Sequence, residues 1–297
     1  MHKQRVILRG FALIVAISLN SAGVTCYAGV QQTQPSVQQQ FAALEASAGG
    51  RLGVAAIDTA TNRWVQYRGD QRFPMGCTSK VMGVAAILKN SMTDSQYLQQ
   101  NVKYQKKDLV NWNPITEKYL AEGMTIEALC GAAISYSDNT AMNLLTAKLG
   151  GPQGINRFAR SIGDSSFKLD HWWPDEAKAN LFNLEDSSTP NAMARSLQKI
   201  ALGEVLASPQ RQKLLSWLKN NTTGDARIRA GVPKKWVVGD KTGSGYEYGT
   251  VNDIGIIWPP NRAPIIVAVF YSSTKKDAPK REDVIASATR IMINNLV

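Results

Sequence analysis

Apolar positions along the chain alternate between a helical and a strand period. In Ser36-Val-Gln-Gln-Gln-Phe-Ala-Ala-Leu-Glu-Ala-Ser47 they fall at 37, 41 and 44, the spacing of one helix face, and Gly49-Gly50 supplies the stop. Arg51–Asp58 and Arg63–Tyr67 read as two strands of a hairpin that turns through Thr59–Asn62. Val81–Leu88 is apolar nearly all round, the pattern of a buried helix. The spacing is then helical, with helices expected near 94–100, 125–135, 138–149, 152–162, 190–203 and 208–219. Strand patterns return at Trp236–Lys241, Val251–Trp258 and Pro264–Tyr271, and Lys280–Asn295 is a terminal amphipathic helix. Strands at both ends with helices between them predict an α+β fold (an α/β sandwich). An antiparallel sheet built from both termini is flanked by helices, and an all-helical subdomain is inserted. Residues 29–68 and 221–297 would make the α/β part and 69–220 the helical part. The seam between two such parts is a favoured place for a small-molecule site.

The first residues do not belong to this pattern. Lys3, Arg5 and Arg9 precede an apolar run from Gly10 to Leu19, and Cys26-Tyr27-Ala28 precedes a Gln-rich polar stretch. Residues 1–28 therefore read as a secretory signal peptide, with a lipoprotein signal ending at Cys26 as the alternative, and the run is short for a membrane span. The expected location is periplasmic or secreted, with no membrane segment in the mature form. Without residues 1–28 the formal charge falls from +11 to +8, and the basic residues are scattered. No basic stripe interleaved with aromatics appears, so nucleic acid is not an expected partner. A positive field does suit small anionic ligands. Two cysteines remain, Cys77 and Cys130, which could pair in an exported protein. Cys130 lies in the apolar run Ile126–Ile134 and reads better as a buried, inert thiol.

Three short motifs carry candidate chemistry. In Cys77-Thr78-Ser79-Lys80 a helix starting at Cys77 would stack the thiol and the amine on one face, with the positive helix end favouring the thiolate. Ser137-Asp138-Asn139 presents a hydroxyl, a carboxylate and an amide between helices, though a plain helix N-cap has the same composition. Lys241-Thr242-Gly243-Ser244-Gly245 ends a strand with a cation, two hydroxyls and glycines; it suits an anionic ligand along a strand edge, or is simply a turn.

Together and in this order, a reactive residue with lysine three positions on, Ser-Asp-Asn, and Lys-Thr-Gly form the signature set of the penicillin-recognising serine enzymes. The mature chain resembles a class A β-lactamase over essentially its whole length. Tyr136–Asn143, Leu149-Gly-Gly-Pro152, Thr189-Pro190 with Met193-Ala194, and Gly239–Ser244 also match. The resemblance implies a monomer that opens β-lactams through a covalent acyl-enzyme, with no cofactor and no metal. Lys80 would be a proton acceptor beside the nucleophile and Ser137 a proton relay to the lactam nitrogen. Asn139 would bond the substrate's side-chain amide. Lys241, Thr242 and Ser244 would grip its carboxylate, supported by Arg227, and Trp112 would line the entrance. The backbone N–H groups of Cys77 and Ser244 would form the oxyanion hole, where losing one donor typically costs about 2.7–4 kcal/mol.

Two departures bear on turnover. The family's nucleophile is serine, and Cys77 stands in its place; Ser79 does not fit the motif, because the residue three further on is Met82. A thiol is a good nucleophile, but about 1 Å of misplacement can cost on the order of 100-fold. In the loop Asp170-His-Trp-Trp-Pro-Asp-Glu-Ala-Lys178, Trp173 falls where the family has the glutamate that activates the hydrolytic water. Ala177 falls where it has the asparagine that helps hold that water. Glu176, at a family position that is apolar, is either a displaced base or the sign of a repacked loop, and Asp175 is expected to be exposed. His171 replaces an arginine that pairs with the aspartate at Asp186, so that clamp should be weaker and pH-dependent. The expectation is a β-lactam-binding enzyme with impaired deacylation. The alternatives are a penicillin-binding protein that does not hydrolyse its ligand, or a redesigned scaffold with another activity, such as thiol acyl transfer or proton abstraction by Glu176.

Overall fold

The structure, a computed structural model, describes residues 35–183 and 185–297; the expected signal peptide lies outside them. Helix α1 (Val37–Ala48) begins at a capping box in which the Ser36 hydroxyl accepts from the Gln39 N–H while the Gln39 side chain accepts from the Ser36 N–H. It ends at Gly49, whose φ of 71° is the left-handed conformation that glycine adopts without strain. Strands β1 (Gly50–Asp58), β2 (Trp64–Tyr67), β3 (Val237–Ser244), β4 (Val251–Trp258) and β5 (Ile265–Ser273) form one antiparallel sheet in the order β2-β1-β5-β4-β3. The amino-terminal hairpin thus pairs with the last strand in sequence, as expected from a sheet assembled from both termini.

Both faces of this sheet are covered, and strand alternation assigns each residue to a layer. On β5, Ile265, Val267, Val269 and Tyr271 point toward α1 and the terminal helix α8 (Glu282–Leu296). Ile266, Ala268 and Phe270 point the other way, into the core shared with the helical part. That part comprises α2 (Lys80–Asn90), α3 (Ile126–Ser135), α4 (Asn139–Lys148), α5 (Pro152–Ser161), α6 (Pro190–Ala201) and α7 (Ser208–Lys219). Helix α2 runs through its centre with every residue from Lys80 to Leu88 buried.

Three expected features differ. The helix expected near 94–100 is a single 3-10 turn, Tyr97–Gln99; of that turn only Leu98 is buried, so there is no apolar face to hold a longer helix. Cys77 lies in a 3-10 turn, Gly76–Ser79, ahead of α2 rather than in its first α-helical turn. The motif starting at Lys241 is not a turn after a strand: Lys241–Ser244 are strand residues, paired with Val251–Ile254.

The 3-10 turn that carries Cys77 packs directly on β3, and two glycines allow the approach. Gly76 has φ 52°, and a Cβ there would sit 2.9 Å from the Ser244 backbone nitrogen. A Cβ at Gly243 would sit 2.4 Å from the Met75 carbonyl oxygen, which is backbone and cannot swing aside. From the far side, the Asn252 amide donates to the carbonyls of Pro74 (2.8 Å) and Met75 (3.0 Å). Gly243→Ala should therefore overpack this contact and destabilise the fold by about 1–3 kcal/mol. In a domain of this size that lowers Tm by roughly 2–4 °C per kcal/mol, and an unchanged Tm by calorimetry would refute the contact.

Candidate active site

The three motifs meet at the seam. Lys80 begins α2 one 3-10 turn after Cys77, so its side chain lies under the thiol. Ser137 has φ 58°, a conformation rarely taken by serine, between α3 and the cap of α4. Asp138 is that cap: it accepts from the Ala141 N–H (2.8 Å) and also from the N–H groups of Ile115 (3.0 Å) and Thr116 (2.9 Å). The N-cap expected as one reading of Ser-Asp-Asn is formed. The aspartate secures the loop, and the residues on either side of it face the site.

Two buried ammonium groups converge on Ser137. Lys80 Nζ donates to Asn139 Oδ1 at 2.6 Å and to the Ser137 carbonyl at 2.7 Å, and lies 3.4 Å from Ser137 Oγ. Lys241 Nζ donates to the same Oγ at 2.9 Å and to the Thr242 carbonyl at 3.0 Å. Both lysines are fully buried, and neither reaches the wall of the cavity above. Lys241 is linked to the cavity-lining Ser137 by its hydrogen bond to that hydroxyl. Asn139 also donates through Nδ2 to the Asn111 carbonyl (2.8 Å), so it braces the site as well as facing it.

The cavity holds about 670 Å³. Cys77, Ser137, Asn139, Glu176, Ala177, Arg227, Thr242 and Ser244 line it, and Trp112 stands at its rim, 58% exposed. The Trp112 indole N–H donates to the Tyr136 carbonyl at 3.0 Å. Arg227 donates to the carbonyls of Gly243 and Asn252, both at 2.7 Å, and to Ser244 Oγ at 3.0 Å, so its charge is carried along the edge of β3. Thr242 Oγ1 lies 2.6 Å from Thr223 Oγ1. Thr223, Tyr246 and Lys280 also line the cavity and escaped sequence reasoning, because none is part of a motif, although Tyr246 directly follows Gly245.

The loop places the Glu176 carboxyl beside the thiol. Trp173 is 1% exposed and turns inward, with Lys80 Nζ 5.8 Å from its ring centroid. Asn143 grips its backbone, donating to its carbonyl (2.7 Å) and accepting from its N–H (3.1 Å). Pro174 is followed by a 3-10 turn, Asp175–Lys178, which brings Glu176 round to the thiol: Cys77 Sγ and Glu176 Oε1 are 3.4 Å apart. Glu176 is buried, and its Oε2 has no hydrogen-bond partner among the described residues. Asp175 is exposed, as expected, and pairs with Lys178. The clamp at the loop base is formed, with His171 Nδ1 2.7 Å from Asp186 Oδ2.

Electrostatics divide one proton unevenly between thiol and carboxyl. Burial opposes ionisation of Cys77, but the charges of Lys80 and Lys241 outweigh it and bring the pKa from 9.0 to about 7. Burial, followed by the Cys77 charge, holds the Glu176 carboxyl well above its ordinary range. The two shifts run in opposite directions, making the thiol easier to ionise and the carboxyl harder. Burial likewise lowers Lys241 to about 8. Cys130, fully buried without a cation beside it, is pushed the other way.

A helical layer on an antiparallel sheet, with the three motifs meeting at their seam, is the architecture of a penicillin-recognising hydrolase. The description "Beta-lactamase enzyme family" matches residues 36–296, and the chain belongs to that family, in its class A branch. It is 53% identical over 257 residues to Beta-lactamase Toho-1 of Escherichia coli, covering 86% of this chain and 88% of the relative. It is 48% identical to a beta-lactamase of Citrobacter koseri, covering 97% and 98%. Among solved structures, a double mutant of the class A beta-lactamase of the last common ancestor of Gram-negative bacteria has TM-score 0.84 at 49% identity, covering 88% of this chain and 98% of that one. A beta-lactamase from Desulfarculus baarsii has TM-score 0.86 at 45% identity, covering 88% and 97%.

Iodoacetamide labelling should show Cys77 titrating with a midpoint of about 7, while Cys130 stays unlabelled in the folded protein. Lys241→Met should raise that midpoint, and a parent midpoint near 9.0 would refute the electrostatic account. The Asp186 hydrogen bond raises the His171 pKa above 6.5, against a smaller opposing effect of burial. The resulting stabilisation is complete below 6.5 and is lost as pH rises through the raised value. The Tm difference between parent and His171→Asn should accordingly be larger at about pH 5.5 than at about pH 9. Equal differences at both would show that the clamp does not titrate.

Proposed function

We propose that this β-lactamase-family chain binds β-lactams in the seam cavity, opens the ring by acylating Cys77, and releases the product slowly. The observation that carries the reading is the Cys77 sulfur on the cavity wall, above two buried ammonium groups that favour its ionised form. In the proposed step the thiolate attacks the lactam carbonyl carbon. The S–C bond forms, the C–N bond breaks, and the ring nitrogen takes a proton from Ser137 Oγ, which is replenished from Lys80 at 3.4 Å or Lys241 at 2.9 Å. The N–H groups of Cys77 and Ser244 receive the carbonyl oxygen, a role supported by the contact of the Gly76 and Ser244 backbones. The Arg227–Ser244–Thr242 edge meets the substrate carboxylate. Slow release is supported by Trp173 and Ala177, which bring neither a carboxylate nor an amide to the two water-holding positions. The protein acts as an exported monomer, and the composition of its leader supports export.

Intact-protein mass spectrometry after mixing with benzylpenicillin tests this. The parent should gain the mass of one whole penicillin, and Cys77→Ala should gain none. A chromogenic cephalosporin should be turned over slowly in steady state after a fast first equivalent. An adduct that never leaves would make the chain a capture protein. No adduct and no turnover would dispose of the covalent reading.

A further inference from the structure

The proposed acyl-enzyme needs a base to activate water, and the two positions at which the family would hold that water are filled by an indole and a methyl group. Among the described residues, Glu176 is the carboxylate that lines the cavity. It reaches the site because the 3-10 turn Asp175–Lys178 presents it where an apolar residue was expected to pack inward. The Trp173 indole takes the interior volume instead, and the Glu176 carboxyl faces the nucleophile. Its Oε1 touches Cys77 Sγ at 3.4 Å, and its buried Oε2 has no partner among the described residues. A buried carboxylate oxygen with a free lone pair beside the reacting sulfur is placed to hold a water against a carbonyl carbon bonded to that sulfur.

We propose that Glu176 is the general base that hydrolyses the Cys77 acyl-enzyme. The inference rests on acylation at Cys77, as set out above, and assigns the residue that ends the cycle. Protons balance across the two halves. Before reaction the pair holds one proton, on Glu176, with the charge on sulfur. Ring opening converts the thiolate to a thioester and gives the lactam nitrogen one proton from Ser137, so the site is left one proton short, and ionisation of Glu176 once the sulfur charge is gone accounts for it. That leaves Glu176 as a carboxylate. In the second half it takes a proton from water as the water oxygen bonds to the thioester carbon, the C–S bond breaks, and sulfur leaves as thiolate. The resting pair returns, and the product is the ring-opened acid.

The surroundings favour this alternation. Burial and the Cys77 charge both disfavour the Glu176 carboxylate in the free enzyme, and acylation abolishes the second of these. The other groups that face it are Lys80 from α2, which favours the carboxylate in both states, Asp186 from the return of the loop, which opposes it, and Tyr246 after β3. The base is therefore generated by the step that creates its substrate.

Glu176→Gln, which keeps the side chain's size, separates this role from acylation. After a pulse of benzylpenicillin and removal of free ligand, first-order loss of the adduct is followed by intact mass. E176Q should acylate and then lose its adduct about 10²–10⁴-fold more slowly than the parent. Glu176→Asp should fall between them. The parent's deacylation rate should rise with pH as Glu176 of the acyl-enzyme ionises, and E176Q should lack that limb. Adducts that leave parent and E176Q at equal rates overturn the role of Glu176 while leaving acylation intact. An E176Q variant that folds with unchanged Tm yet forms no adduct places Glu176 in acylation alone and also overturns it. No adduct on either protein, with no turnover by the parent, overturns the acylation reading and this inference together.

Discussion

The site is organised around two like charges buried within reach of one hydroxyl. Lys80 and Lys241 both donate to Ser137 Oγ, and neither side chain is exposed. Removing an ammonium group from water costs several kcal/mol unless acceptors and counter-charges replace its hydration. Carbonyls of Ser137 and Thr242 and the amide of Asn139 supply acceptors, and that requirement dictates the left-handed backbone at Ser137 and the close approach of β3 to the nucleophile turn. The remaining need is negative charge. A thiol beside the pair can supply it, which is why the same burial that suppresses ionisation at Cys130 is outweighed at Cys77.

The loop from Asp170 to Thr189 is the second half of the same balance. Trp173 contributes volume and a ring face toward Lys80, and Asn143 holds its backbone from both sides. With the interior filled, Glu176 is directed at the cavity. A carboxyl placed against a thiolate is pushed toward its protonated form, which limits the negative charge buried at the site. Family membership establishes the fold and the hydrolase class; the contact of Glu176 with Cys77 is made by the chain's own loop.

Motif spacing makes the nucleophile, the Ser-Asp-Asn loop and the Lys-Thr-Gly strand legible, because each depends on local backbone geometry. Strand alternation makes the sheet legible for the same reason: Val267 and Ala268 face opposite layers by pleat alone. The segment near 94–100 reads as a helix by its spacing, yet only Leu98 of its 3-10 turn has a core to enter. Thr223, Tyr246 and Lys280 are invisible in the sequence because their role comes from where distant segments meet.

By itself the sequence determined which residues could do chemistry and that a sheet from both termini would enclose a helical insert, since residue type, period and order along the chain carry that information. Tertiary structure alone decided that Lys241 bonds Ser137, that Trp173 turns inward, and that Glu176 faces sulfur. The physical reason is that these are competitions for one interior volume and one buried charge balance, settled only when residues far apart in the chain are packed against each other.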